Sequence, residues 1–112
     1  MKSCFGEYYK SIGYKVVDTP KSNDYGADLI LEKNNRRYVL QAKRYKKAVG
    51  VSAIQEVVAS KPYYNADGAI VATNNYFTKN AWDLAKANHV FLIDRTKLIE
   101  LREEVNQTKN KK

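Results

Sequence analysis

The chain has 112 residues and carries 20 Lys and Arg against 12 Asp and Glu, a formal net charge of +8. That length suits one compact domain, and a composition of 44% hydrophobic and 29% charged residues excludes wholesale disorder. The single cysteine, Cys4, excludes an intrachain disulfide, and with no membrane-length apolar run or signal-peptide pattern we expect a cytoplasmic protein with no membrane partner.

The first part of the chain predicts a helix, a short strand and a loop. Four apolar residues share the spacing of one helical stripe: Phe5, Tyr8, Tyr9 and Ile12. Gly13 is placed to end this helix in a left-handed conformation. Residues 14–17 then predict a strand, and residues 19–26 are rich in turn-forming residues, which indicates a loop.

Residues 27–32 and 37–43 predict the two strands of a β-hairpin. Asn tolerates the positive φ that a two-residue turn requires at both central positions, so Asn34 and Asn35 are expected to form the turn. This turn fixes the register of the two strands: Glu32 faces Arg37, Ile30 faces Val39 and Asp28 faces Gln41. The opposite charges of Glu32 and Arg37 support that register.

In the second half of the chain, helices alternate with strands. Ser52 and Gln55 have the spacing of a capping box for a helix that Pro62 is expected to end. Apolar residues 68–73 and 90–93 predict buried strands, and Thr78 is expected to cap the helix between them. The remaining predictions are a last helix at 96–105 and a basic, disordered tail at 106–112, so the domain spans residues 1–105. The predicted order is αβββαβαβα, an α/β fold with a mixed sheet flanked by helices.

The hairpin register brings three polar side chains together at one end of two otherwise apolar strands. Because side chains alternate along a strand, Gln41 and Lys43 lie on one face, and Asp28 opposite Gln41 lies on the same face. An exposed Asp–Lys ion pair of little energetic consequence would explain part of this grouping. From the spacing alone, that ion pair is the more common arrangement. Two details favour a catalytic site instead: desolvation at the end of an apolar strand would lower the pKa of Lys43, and the loop that follows is basic.

A basic loop follows directly after Lys43. It carries Arg44, Lys46 and Lys47, with Tyr45 among them. These cations are suited to contacts with phosphate groups, and the tyrosine ring is suited to stacking on a base. The loop would place phosphate-binding charge next to Asp28 and Lys43, which agrees with the polyanionic partner that the net charge suggests.

Two segments of the chain resemble the catalytic domain of the Mrr-like restriction endonucleases, a family of the PD-(D/E)xK nuclease superfamily. They are Asp24-Tyr25-Gly26-Ala27-Asp28-Leu29-Ile30 and Leu40-Gln41-Ala42-Lys43-Arg44-Tyr45. In this family Gln commonly stands where other superfamily members have Asp or Glu. The resemblance continues in order through residues 69–73, 77–81 and 92–95 and covers nearly the whole chain short of the basic tail.

The resemblance implies a restriction-endonuclease-like fold and a site that binds Mg²⁺, with Mn²⁺ able to substitute. Asp28 would be the principal carboxylate ligand, and Gln41 would contribute its side-chain oxygen alongside the backbone carbonyl of Ala42. Lys43 would orient or deprotonate the attacking water. Glu7, which lies nearer the start of the chain than is usual in the family, would be a further carboxylate beside the metal or on a second metal.

The expected function is therefore that of a Mg²⁺-dependent DNA endonuclease that hydrolyses phosphodiester bonds. Asp24 and Gln55 are weaker candidates for the same site. A Holliday-junction-resolvase-like nuclease and a catalytically inactive DNA-binding relative fit the same residues. A domain of this size has no room for a separate target-reading module, so we expect a homodimer, a separate specificity protein or a structural feature of DNA to select the target.

Overall fold

The described part of the chain, residues 2–19 and 26–110 of a computed structural model, contains four helices and five strands. In chain order they are α1 (Lys2–Ser11), β1 (Lys15–Asp18), β2 (Leu29–Lys33), β3 (Arg36–Lys43), α2 (Val51–Tyr64), β4 (Gly68–Thr73), α3 (Lys79–Ala87), β5 (Val90–Ile93) and α4 (Arg95–Asn110). This is the order predicted from the sequence.

The five strands form one mixed sheet in the order β1-β2-β3-β4-β5. The first three strands are antiparallel neighbours, whereas β3, β4 and β5 are parallel because α2 and α3 serve as crossover connections. The three parallel strands therefore end at the same edge of the sheet. Asp28 immediately precedes β2, which runs in the opposite direction, so Asp28 also lies at that edge.

The hairpin turn is the one predicted. Asn34 and Asn35 have φ values of 55° and 64°, as a two-residue turn with two left-handed positions requires. Glu32 pairs with Arg37 in the ladder, and the Arg37 Nη2 atom lies 2.9 Å from Glu32 Oε2. The turn therefore sets the register on which the site depends.

The sheet separates two hydrophobic cores. One core packs Ile30 and Val39 against α2 and α3. The other packs Leu31 and Leu40 against α1 and α4. Because side chains alternate, each residue of β2 and β3 is assigned to one of these two faces.

The helix ends agree with the sequence only in part. Thr78 caps α3, and its Oγ1 accepts a hydrogen bond from the Ala81 amide. Ser52 does not cap α2: the helix begins at Val51, and the cap position is Gly50, which makes no side-chain cap. Val49, just before Gly50, forms an isolated parallel bridge with Phe77.

The other end of α2 and the end of α4 also differ from the prediction. Pro62 lies inside α2, which continues to Tyr64 and ends at Asn65 in a left-handed conformation. The tail predicted to be disordered is helical as far as Asn110, because no Gly or Pro after Val105 interrupts α4. Residues 111–112 lie outside the described part. None of the helices in residues 2–19 and 26–110 is long and apolar enough to cross a membrane.

Replacing Asn35 tests the turn. Asn35→Val should lower the free energy of unfolding by about 1–2 kcal/mol, since a β-branched residue is strained at positive φ. Asn35→Gly should leave it unchanged or raise it by up to about 1 kcal/mol. Urea unfolding of both variants measures this, and equal stability of the two would show that the turn does not fix the hairpin.

Candidate active site

Asp28 lies where the β2–β3 ladder stops. The last pair is Leu29 with Leu40, and the predicted pair of Asp28 with Gln41 does not form. Instead, the Asp28 amide donates to the Leu40 carbonyl over 2.7 Å, and Asp28 Oδ2 accepts from the Ala42 amide over 2.7 Å. The carboxylate is thus held against the backbone of β3.

The ladder stops here because other groups take over its hydrogen bonds. In the observed register, the Ala42 amide would next donate to the Ala27 carbonyl. That carbonyl accepts from Thr19 Oγ1 over 2.8 Å instead, while the Ala42 amide donates to the Asp28 carboxylate. The end of the hairpin therefore orients a carboxylate at the cost of one ladder pair.

Gln41 supplies a buried polar atom without a partner. Gln41 is two residues after Val39 in β3, so both side chains lie on the same face of the sheet, the face that α2 covers. Its Oε1 atom is buried and has no hydrogen-bond partner among the described residues. An unsatisfied buried acceptor costs roughly 1–3 kcal/mol, so this oxygen is a candidate ligand for a cation or a water molecule.

These oxygens fit a hard divalent cation. Mg²⁺ prefers oxygen ligands, retains several waters and is usually held by one or two carboxylates. Asp28 and the unpartnered Gln41 oxygen provide such a donor set at neighbouring positions. No cluster of three His, Cys, Asp or Glu side chains suited to a metal occurs in residues 2–19 and 26–110, so a site here would rely on amide, carbonyl and water oxygens.

Lys43 is held at the same edge by a carboxylate that the sequence did not indicate. Its Nζ lies 2.7 Å from Glu56 Oε2 of α2 and 5.8 Å from the centre of the Tyr45 ring. Burial lowers the pKa of Lys43, but the hydrogen bond and the charge of Glu56 raise it further, so the net shift is upward. The expected lowered pKa was wrong, and Lys43 is an ammonium at neutral pH.

The remaining predicted site residues are more scattered. Glu7 lies in α1, which packs on the face of the sheet opposite α2. Its side chain lines a surface pocket together with Cys4 and Arg102. Gln55 is exposed on α2, one residue before Glu56. Asp24 lies outside the described residues. A role for these three side chains at the site stays a prediction.

The basic loop, residues 44–48, is exposed and anchored. Arg44, Lys46 and Lys47 are exposed, and 45% of Tyr45 is accessible to solvent. The Tyr45 amide donates to Asn74 Oδ1 over 3.1 Å, and the Tyr45 carbonyl accepts from Asn75 Nδ2 over 3.2 Å. The cations therefore project from a loop fixed to the end of the neighbouring strand β4.

Sequence reasoning missed Glu56, Asn74 and Asn75. Asn74 and Asn75 directly follow the buried strand β4, and polar residues at that position lie at the same edge as the end of β3. That signal was sufficient to find them. Glu56 carried no comparable signal, because the rotation of α2 about its axis is set by packing.

A restriction endonuclease family model, Mrr_cat, matches residues 1–102. The chain belongs to this family. The match confirms the resemblance drawn from the Asp28 and Gln41-Ala42-Lys43 segments. Among curated protein sequences no significant match was found.

Three solved structures share the fold at low sequence identity. A protein of unknown function, AF1548, has a TM-score of 0.72 and 14% identity, over 86% of this chain and 61% of that one. The DNA modification-dependent restriction endonuclease AspBHI has a TM-score of 0.68 and 15% identity, over 94% and 31%. The MspJI restriction endonuclease, solved with a 27-mer oligonucleotide, has a TM-score of 0.63 and 17% identity, over 88% and 25%. This chain thus corresponds to less than two thirds of each of these proteins.

Replacing Gln41 with Leu separates stability from cation binding. Gln41→Leu removes an unsatisfied buried acceptor, so the free energy of unfolding should stay the same or rise by about 1 kcal/mol. The same change should abolish the stabilisation that Mg²⁺ gives the unaltered chain, because a ligand oxygen is lost.

Thermal unfolding with and without Mg²⁺ measures both effects. Gln107→Leu, an exposed change on α4, is the matched control and should keep the Mg²⁺ effect. A Gln41→Leu protein that Mg²⁺ stabilises as much as the unaltered chain would exclude this oxygen as a ligand.

Proposed function

We propose that this chain is the catalytic domain of a Mg²⁺-dependent DNA endonuclease that hydrolyses phosphodiester bonds. The observation that carries the proposal is the buried, unpartnered oxygen of Gln41. It lies on the same face of β3 as Lys43, at the end of the hairpin where the Asp28 carboxylate is held. Membership of a restriction endonuclease family supports the same chemistry.

Asp28, the side-chain oxygen of Gln41 and the backbone carbonyl of Ala42 would hold the cation, with Mn²⁺ able to replace Mg²⁺. The bound cation would act as a Lewis acid toward the scissile phosphate and lower the pKa of water. The chain prepares the site by fixing the carboxylate: the Ala42 amide holds Oδ2, and Oδ1 is the atom we assign to the cation.

Lys43 would orient the attacking water and offset negative charge that develops on the phosphate. Its raised pKa keeps it protonated at neutral pH, and a protonated amine donates hydrogen bonds but accepts no proton. Of the two roles predicted for Lys43, the structure therefore supports orientation rather than deprotonation of water. Glu7 is kept as a candidate second carboxylate.

The basic loop would hold the DNA backbone beside the cation. Arg44, Lys46 and Lys47 would contact phosphates, which position a duplex without reading its sequence, and Tyr45 would contact sugar or base. One chain offers one such site. Cleavage of both strands would therefore use two copies of this domain, as in a homodimer, and a separate specificity protein is a candidate for target choice.

Nuclease assays on supercoiled, linear, single-stranded and four-way-junction DNA test the activity. We expect cleavage with Mg²⁺ or Mn²⁺, none with EDTA, and a loss on the order of 10³-fold or more in Asp28→Asn and Lys43→Met, since each removes charge stabilisation worth several kcal/mol. Asp83→Asn, which breaks an exposed ion pair on α3, should cleave normally. Cleavage that persists in Asp28→Asn would refute the site. Binding of DNA without cleavage under every metal would favour an inactive relative. Preferential cleavage of the four-way junction would favour a resolvase.

Salt titrations test the DNA surface. A Lys46→Ala/Lys47→Ala variant should bind duplex DNA more weakly. The slope of the log of the binding constant against log salt should become shallower by about 1.8, which is 0.9 for each lost phosphate contact. Lys10→Ala/Lys86→Ala removes two exposed cations at the opposite edge of the sheet and should keep the original slope. Equal slopes for the two double variants would place the DNA elsewhere.

A further inference from the structure

Glu56 stands at the point where α2 touches the segment that leads into Asp28. Gly26 has a φ of 78°, and a Cβ atom there would lie 2.9 Å from the Glu56 carbonyl oxygen. Only a glycine permits so close an approach of the two backbones without a shift. The turn of α2 that carries Glu56 is therefore fixed relative to the Asp28 strand.

Among the ion pairs of the described residues, the pair of Glu56 with Lys43 has the most enclosed cation, since Arg37 in the Arg37–Glu32 pair is 39% exposed. The Lys43 side chain is 15% exposed, while that of Glu56 is 49% exposed. Both partners are more than half exposed in Lys97–Glu100 and Lys79–Asp83. In the Lys43 pair the enclosed partner is the ammonium, so its location depends on the carboxylate.

This contact restricts a flexible side chain at the end of a strand. A lysine side chain carries about 2 kcal/mol of rotamer entropy and swings toward water when nothing holds its head group. Lys43 is the last residue of β3, with the Glu56 carboxylate on one side and the Tyr45 ring on another. Without Glu56, the side-chain contacts with Tyr45, its ring and a hydrogen bond, would remain to oppose that movement.

We propose that Glu56 is a positioning residue that holds the Lys43 ammonium on the α2 face beside Asp28 and Gln41. The inference rests on the proposed nuclease function and adds a residue to it. Glu56 acts through Lys43 and does not ligate the cation. Its removal should therefore lower the rate of hydrolysis while leaving affinity for the cation intact.

The first test observes the ammonium directly and needs no activity. In ¹⁵N-labelled protein at mildly acidic pH and low temperature, an ordered Lys43 ammonium should give a resolved Nζ signal, assigned by its absence in Lys43→Met. Glu56→Gln should broaden or remove that signal. Glu100→Gln, which breaks an exposed pair and makes the same change in net charge, should leave it in place. A Lys43 signal that is unchanged in Glu56→Gln would overturn the proposal.

The second test measures the rate under single-turnover conditions with saturating DNA and Mg²⁺. Glu56→Gln should be slower by about 10- to 100-fold, because a displaced catalytic group costs about that much. Glu56→Asp should be intermediate, and Glu100→Gln should match the unaltered chain within about twofold. A single-turnover rate for Glu56→Gln within twofold of the rate of the unaltered chain would overturn the proposal.

Calorimetric titration with Mg²⁺ distinguishes positioning from ligation. The dissociation constant of Glu56→Gln should stay within about twofold of the original, whereas loss of a carboxylate ligand would raise it at least tenfold. A tenfold rise would overturn the proposal in favour of Glu56 as a ligand. Absence of cleavage by the unaltered chain would count against the nuclease function alone, since the ammonium signal would still report whether Glu56 holds Lys43.

Discussion

The two-residue turn at Asn34 and Asn35 is the constraint on which the site depends. Side chains alternate along β3, so a shift of one residue in the hairpin would move Gln41 and Lys43 to the face covered by α1 and α4. It would also turn buried residues of both strands toward the wrong core. The packing of two hydrophobic layers and the position of the polar side chains are therefore fixed by the same register.

The end of the hairpin shows how the fold and the site share their hydrogen bonds. A regular ladder would continue past Leu29. Instead, the Ala42 amide donates to the Asp28 carboxylate, and the Thr19 hydroxyl donates to the Ala27 carbonyl. All the backbone groups named here are satisfied, while Gln41 retains a buried oxygen without a partner. Of the two buried side-chain oxygens without a partner among the described residues, that of Gln41 lies at the proposed cation site, while Tyr64 lies beside Arg37 near the other end of β3.

Features set by neighbours in the sequence could be predicted, and features set by packing could not. The turn at Asn34 and Asn35, the order of the elements and the shared face of Gln41 and Lys43 follow from local conformation and alternation. The partner of Lys43 is different, because it depends on how α2 docks on the sheet. The predicted direction of the Lys43 pKa shift was wrong for the same reason. The sequence indicated burial, which lowers the pKa, but did not indicate the Glu56 carboxylate, which raises it.

A crystal structure with Mn²⁺ would show whether Asp28 and Gln41 bind a divalent cation, as we propose. The anomalous signal of the metal identifies its position without reliance on activity or on a DNA substrate. We expect an anomalous peak within coordination distance of Asp28 Oδ1 and Gln41 Oε1, with water filling the remaining positions. A peak at another group of side chains, or none at this edge of the sheet under saturating Mn²⁺, would contradict it.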